Sequence, residues 1–156
     1  MQYIAVVLVL LAWSTEARAQ YFGKDQLGKV IEVQVVIDGE VKDDCLPQPA
    51  SLKTEAELVM RRSGIKVVDK ETLESHTLEV NFTGRQLAEG ATCLAYLRLE
   101  IWRFEDIDDG TTGLVLASTD AVLLTGPKAG FQLQLREQVN GKATALANEI
   151  LKARGR

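Results

Sequence analysis

Apolar and polar side chains alternate most regularly from Cys93 to Phe104, in the run CLAYLRLEIWRF. Side chains on a strand point alternately to opposite faces, so Ala95, Leu97, Leu99 and Ile101 share one face. Tyr96, Arg98, Glu100, Trp102 and Phe104 share the other. A strand of this length can occupy the centre of a sheet, and the rest of the chain is read around it.

Residues 28–37, GKVIEVQVVI, alternate in the same way, with Ile31, Val33, Val35 and Ile37 on the buried face. Asp38-Gly39 is a turn signal and predicts the end of this first strand. Pro47 and Pro49 exclude regular structure over residues 45–49 and lead into a helix that Ser51 or Thr54 can cap, Thr54 and Glu57 having capping-box spacing. Leu52, Ala56, Val59 and Met60 form its apolar stripe, and Gly64 followed by Ile65 predicts its stop. A short strand over residues 65–69 and another over 77–83 follow, either as a hairpin or as successive strands.

After the long strand, Asp109-Gly110 favours a hairpin turn. Residues 114–125 return as an antiparallel partner with a polar interruption at 118–120. Residues 126–130 break the pattern. From about residue 132 to 153, Leu135, Val139, Ala143, Leu146, Ala147 and Ile150 recur at helical spacing, with Gly141 as a weak point. The order predicts one α+β domain over residues 20–156: an antiparallel or mixed sheet of four to five strands with two helices packed on one face.

Only two cysteines occur, Cys45 and Cys93. They predict a disulfide provided the chain is exported. If the first strand and the long strand are antiparallel neighbours, both cysteines fall at the same end of the sheet. The start of the chain supplies the condition: residues 1–19 carry an apolar run at 4–13, a polar tail and Ala17-Arg18-Ala19. This is the layout of a signal peptide cleaved between Ala19 and Gln20. The apolar run is about half the roughly 20 residues a spanning helix needs, and no cysteine near the cleavage point offers a lipid attachment. The expected location is periplasmic or extracellular, with no transmembrane segment in the mature chain.

The segment LKTEAELVMRRSGIKVVD, with its helix ending in Arg61-Arg62 before Gly64 and its strand ending in Val67-Val68-Asp69, sharpens this picture. With the exported start and the element order, it resembles the amino-terminal domain of the translocation protein TolB and the curli-secretion lipoprotein family. It is also similar to small uncharacterised exported bacterial proteins with an L-x-T-x-x-E-L helix, here Leu52, Thr54, Glu57 and Leu58. The resemblance implies a protein-contact or assembly module rather than an enzyme.

The net charge of −4, with Lys and Arg scattered, gives no electrostatic footprint for nucleic acid. His76 is the only histidine, which excludes a multi-histidine metal site within one chain; as a catalytic base it would need Glu74, Glu79 or Asp120, and otherwise it is a surface residue at a strand start. No phosphate-binding loop, GxSxG or other cofactor motif occurs, so no cofactor is expected. Asn81-Phe82-Thr83 matches a glycosylation acceptor but falls within a strand. Glu105, Asp106, Asp108 and Asp109 are the densest acidic cluster and the one candidate for a divalent cation, although Ala117 stands where an EF-hand would place its bidentate acid.

The expected function is a non-enzymatic binding or envelope-assembly module. Its expected contact surface is Tyr96, Arg98, Trp102 and Phe104, and its expected partner is another envelope or secreted protein, with room for a homo-oligomer. The alternative is an exported domain that binds a small ligand or a divalent cation.

Overall fold

The structure, a computed structural model, describes residues 24–70, 72, 75–87, 91–107 and 110–155, with backbone alone at 24, 25, 104–107 and 110–113. Its elements run α1 (Lys24–Leu27), β1 (Glu32–Val41), α2 (Ala50–Arg62), β2 (Lys66–Val68), β3 (His76–Gln86), β4 (Thr92–Ile107), β5 (Gly110–Ser118), β6 (Val122–Pro127) and α3 (Lys128–Ala153). The sheet is mixed, in the order β2-β1-β3-β4-β5, and β6 also pairs with β4. β1 is parallel to both β2 and β3, whereas β4 is antiparallel to β3, β5 and β6.

This is the expected α+β arrangement, with six strands because the partner of β4 is split. The first half of β4 pairs with β6, from Thr92↔Pro127 to Leu97↔Val122. Its second half pairs with β5, from Glu100↔Ser118 to Ile107↔Gly110. The polar residues at 118–120 mark the break between them. The residues between β4 and β5, Asp108 and Asp109, lie outside the described residues, as do 1–23.

One face of the sheet carries the core. Val33 and Val35 of β1, Leu78, Val80 and Phe82 of β3, and Ala95, Leu97, Leu99 and Ile101 of β4 are buried against both helices. α2 contributes Leu52, Ala56, Val59 and Met60, and α3 contributes Phe131, Leu135, Val139, Ala143, Leu146, Ala147 and Ile150. The two helices run side by side, joined by Gln132 Nε2 to Ser51 Oγ (3.2 Å), Arg136 Nη2 to Glu55 Oε2 (2.9 Å) and Asn140 Nδ2 to Glu55 Oε1 (2.8 Å). The Asn140 hydrogen bond, aided by Arg136, holds the Glu55 carboxyl below its usual pKa.

Several local expectations are corrected. β1 does not end at Asp38-Gly39: it continues to Val41 in register with β3, and Gly39, at φ 125°, lies opposite Phe82. A left-handed glycine in strand pairing produces the same two-residue signature as a turn. Ile31 is 69% exposed, because the strand begins only at Glu32. Pro49 is the N-cap of α2, without a side-chain cap; the Ser51 hydroxyl donates to Gln48 C=O and Thr54 Oγ1 to Ala50 C=O. The stop of α2 is as expected: Gly64 has φ 75°, its N–H reaches Arg61 C=O, and the Ile65 N–H reaches Met60 C=O, both at 3.0 Å. That pair of bonds is a Schellman closure, sealed by the burial of Ile65.

β2 and β3 are successive strands, not a hairpin, and they flank β1 on opposite sides. β1 and β4 are not neighbours either, since β3 lies between them. They still run in opposite directions, so Cys45 and Cys93 meet at one end of the sheet and are joined, with Cα atoms 5.9 Å apart. In α3, Ala129 and Gly130 leave helical geometry, and the regular helix starts at Phe131. A Cβ built at Gly141 meets nothing within 4 Å. Gly141→Ala is therefore expected to raise the unfolding free energy by about 1 kcal/mol, read from the urea midpoint.

Candidate functional site

Both helices lie against the core face, so the opposite face of the sheet is left without a helical cover among the described residues. Its central row comes from β4, where Tyr96, Arg98, Glu100 and Trp102 are all half-buried. The side chain of Phe104 lies outside the described residues, as do those of Glu105, Asp106, Asp108 and Asp109. Among the described residues, no group of His, Cys, Asp and Glu is placed to hold a metal ion.

Register determines how this row is held. Glu100 stands opposite Glu79, a like-charge pair that each partner resolves separately. Arg98 Nη2 meets Glu100 Oε1 at 2.5 Å and donates to Ser118 Oγ at 3.2 Å. Trp102 Nε1 donates to Glu79 Oε2 at 2.9 Å, and Asn81 Nδ2 donates to the other Glu79 oxygen at 3.4 Å. The indole is thus fixed by a charge-assisted hydrogen bond, which orients the ring on the face.

Next to this polar centre lie apolar residues that the sequence reading did not single out. Leu123, 67% exposed, is the register partner of Tyr96, and Val115, 41% exposed, is the partner of Trp102. Their odd-numbered positions on β5 and β6 carry the period-two signal, but the interruption at 118–120 and the bulge after Ile101 hide which face they share with β4. At the Tyr96 end, Leu94, Tyr96 and Leu123 line a shallow depression of about 360 Å³, with Lys42, Arg85, Thr83 and Gly84 at its rim.

The second cluster of polar groups sits at the end of the sheet away from the disulfide. Glu32, 9% exposed, accepts from Lys66 Nζ (2.7 Å) and Thr72 Oγ1 (2.8 Å), and these bonds hold its carboxyl below the usual pKa. His76 is not a surface residue: it is 5% exposed, with both ring nitrogens buried. It cannot pair with Glu79, because positions 76 and 79 project to opposite faces and Glu79 is bound to Trp102. Glu74 lies outside the described residues. Asp120 is on the far edge of the sheet, where its carbonyl accepts from Lys142 Nζ at 2.6 Å.

Burial pushes the His76 imidazole below its usual pKa of 6.5, helped by the Arg103 guanidinium and partly opposed by Glu32. A histidine held neutral in the fold takes up its proton first in the unfolded chain. Its contribution to stability is complete above about pH 6.5 and declines as the pH falls from there towards the lower folded-state value. The unfolding free energy is expected to drop over that window, and the His76→Leu variant to show a flatter profile between about pH 7 and 5, as read from urea unfolding at each pH.

No protein-family model matches this chain, and no curated protein matches it. Among solved structures it is similar to a PelC dodecamer from Paraburkholderia phytofirmans, with 15% identity, 76% of this chain and 89% of that chain covered, and a TM-score of 0.49. A point variant of that dodecamer gives 14% identity, 76% and 88% coverage and a TM-score of 0.48. A minor lipoprotein from Acinetobacter baumannii gives 16% identity, 80% and 94% coverage and a TM-score of 0.37. Function is therefore read from this chain's own residues.

Proposed function

We propose that this protein is a small exported, non-enzymatic binding or assembly module, and that it meets another envelope or secreted protein through the open face of its sheet. The observation that supports this is the face that neither helix covers. Among the described residues, Tyr96 and Trp102 are half-buried there with Leu123 and Val115 exposed beside them, while both helices pack on the other side. Aromatic and arginine side chains on a rigid sheet lose little conformational entropy when covered, which is why such groups dominate interface energies. Arg98 and Trp102 are already held by Glu100 and Glu79, so part of the ordering cost is met before a partner arrives. Residues 1–19 serve as the export signal in this reading, and the mature chain begins at Gln20.

A photo-reactive residue at position 123, in cells that export the chain, tests the proposal. A discrete crosslinked species is expected, and it is expected to disappear when Tyr96→Ala and Trp102→Ala are added while the melting temperature stays within a few degrees. A product twice the mass of the chain would identify the partner as a second copy. No product, or one indifferent to both aromatic changes, would rule out this face as the contact.

A further inference from the structure

β2 covers only the beginning of β1: the pairing runs from Glu32↔Lys66 to Gln34↔Val68 and stops there. Beyond Gln34, β1 continues to Val41 with β3 on one side and, among the described residues, no strand on the other. The direction of its backbone groups follows from two hydrogen bonds. The Lys66 N–H donates to Ile31 C=O on the β2 side, and the Lys42 N–H donates to Gly84 C=O on the β3 side. Backbone groups alternate along a strand, so odd-numbered residues address the β2 side and even-numbered ones address β3. Ile37 and Val41, with Gly39 between them, therefore present their N–H and C=O groups along an edge that no strand covers among the described residues.

The charged side chains that β1 itself carries beyond Gln34 are acidic. Asp38 and Glu40 project from β1 and are exposed, whereas Asp43 and Asp44, beyond the end of the strand, turn to the β3 side, where Asp43 Oδ2 accepts from the Gln86 N–H at 3.3 Å. Lys42 reaches Glu40 at 3.4 Å, and Asp38 adds a second carboxylate, which leaves this stretch of β1 acidic on balance. An acidic edge repels the same edge of another copy, and so selects against the symmetric pairing that bare strands otherwise invite. It attracts an extended segment carrying Lys or Arg at alternate positions, since opposite charges directly across a sheet stabilise and like charges destabilise.

We propose that β1, from Ile37 to Val41, is a strand-addition site for an extended, lysine- or arginine-rich protein segment, which would extend the sheet beyond the end of β2. Main-chain hydrogen bonds to Ile37 and Val41 supply the affinity, and Asp38 and Glu40 supply the preference for basic side chains. Asp38 and Glu40 share the face of Arg98 and Tyr96 across β3, through Asn81 and Thr83, whereas the backbone groups of Ile37 and Val41 lie on the edge, so amide exchange at those two positions reads this site apart from the face.

The test uses the mature protein and a synthetic peptide of about ten residues alternating Lys and Val, with a Glu-for-Lys version and a version N-methylated at alternate residues. In the free protein, amide exchange is expected to be fast at Ile37 and Val41 and slow at Val36 and Asp38. The Lys peptide is expected to bind and to slow exchange at Ile37 and Val41. The Asp38→Lys, Glu40→Lys variant is expected to weaken it by about tenfold or more. Slow exchange at Ile37 and Val41 in the free chain would overturn the proposal, because the edge would then be covered. Absence of binding at about 1 mM would overturn it as well. So would equal binding by the Glu peptide, the N-methylated peptide or the charge-reversed variant.

Discussion

Replacing Cys45 and Cys93 together by Ala is expected to lower the unfolding free energy by about 4 kcal/mol. The disulfide closes a loop spanning 48 positions, and the chain-entropy account of such a loop gives a cost of that size for releasing it in the unfolded state. A domain of this size holds roughly 5 to 15 kcal/mol in all, so the loss removes a large share. The link joins the loop after β1 to the start of β4 across the end of β3, and both sulfur-bearing residues are buried. Ala is the better test than Ser, because a serine hydroxyl there would add the cost of an unpaired polar group. The urea midpoint of the double variant, compared with native protein with and without reductant, reads the effect. Equal stability in all three would mean that the link contributes nothing to stability.

Gly39→Ala is expected to be the most damaging glycine-to-alanine change among the described residues. A Cβ at this position falls 1.6 Å from the Phe82 carbonyl oxygen and 2.7 Å from its carbonyl carbon, and the φ of 125° is one that an L side chain rarely adopts. Strain of this kind costs on the order of 1 to 3 kcal/mol, and the clash with backbone in a paired strand adds to it. A loss of about 3 kcal/mol or more is expected. Asp38→Ala, one position away and exposed, serves as the control, with a change within about 0.5 kcal/mol. If Gly39→Ala proved as mild as the control in urea unfolding, the close register of β1 on β3 at Gly39↔Phe82 would be wrong.

Much of the fold was legible because burial is one-sided. The core face of β4 at Ala95, Leu97, Leu99 and Ile101, the stripes of α2 and α3, and the Gly64-Ile65 stop all express a local period or a local conformational need. The failures have one cause in common, which is competition between a local signal and a distant strand or an earlier start. Asp38-Gly39 has the composition of a turn, yet β3 supplies hydrogen bonds that carry β1 through it. Thr54 and Glu57 have capping spacing, yet Pro49 begins the helix a turn earlier. His76 has the composition of a surface residue, but it falls on the buried face of β3, next to Val33 in register.

The candidate site shows the same division. Tyr96, Arg98 and Trp102 could be placed on one face from alternation alone, but whether that face was core or surface depended on which side both helices chose. Leu123 and Val115 joined them only through the pairing of β5 and β6 with β4, and among the described residues the edge of β1 is open because β2 is three residues long. By itself the sequence determined the elements, their apolar faces and the two cysteines available for a link, because each depends on periodicity or residue chemistry within a few positions. Strand order, the parallel placement of β1 and the side of the sheet on which both helices pack were decided by tertiary structure, because they depend on which distant backbone groups satisfy one another.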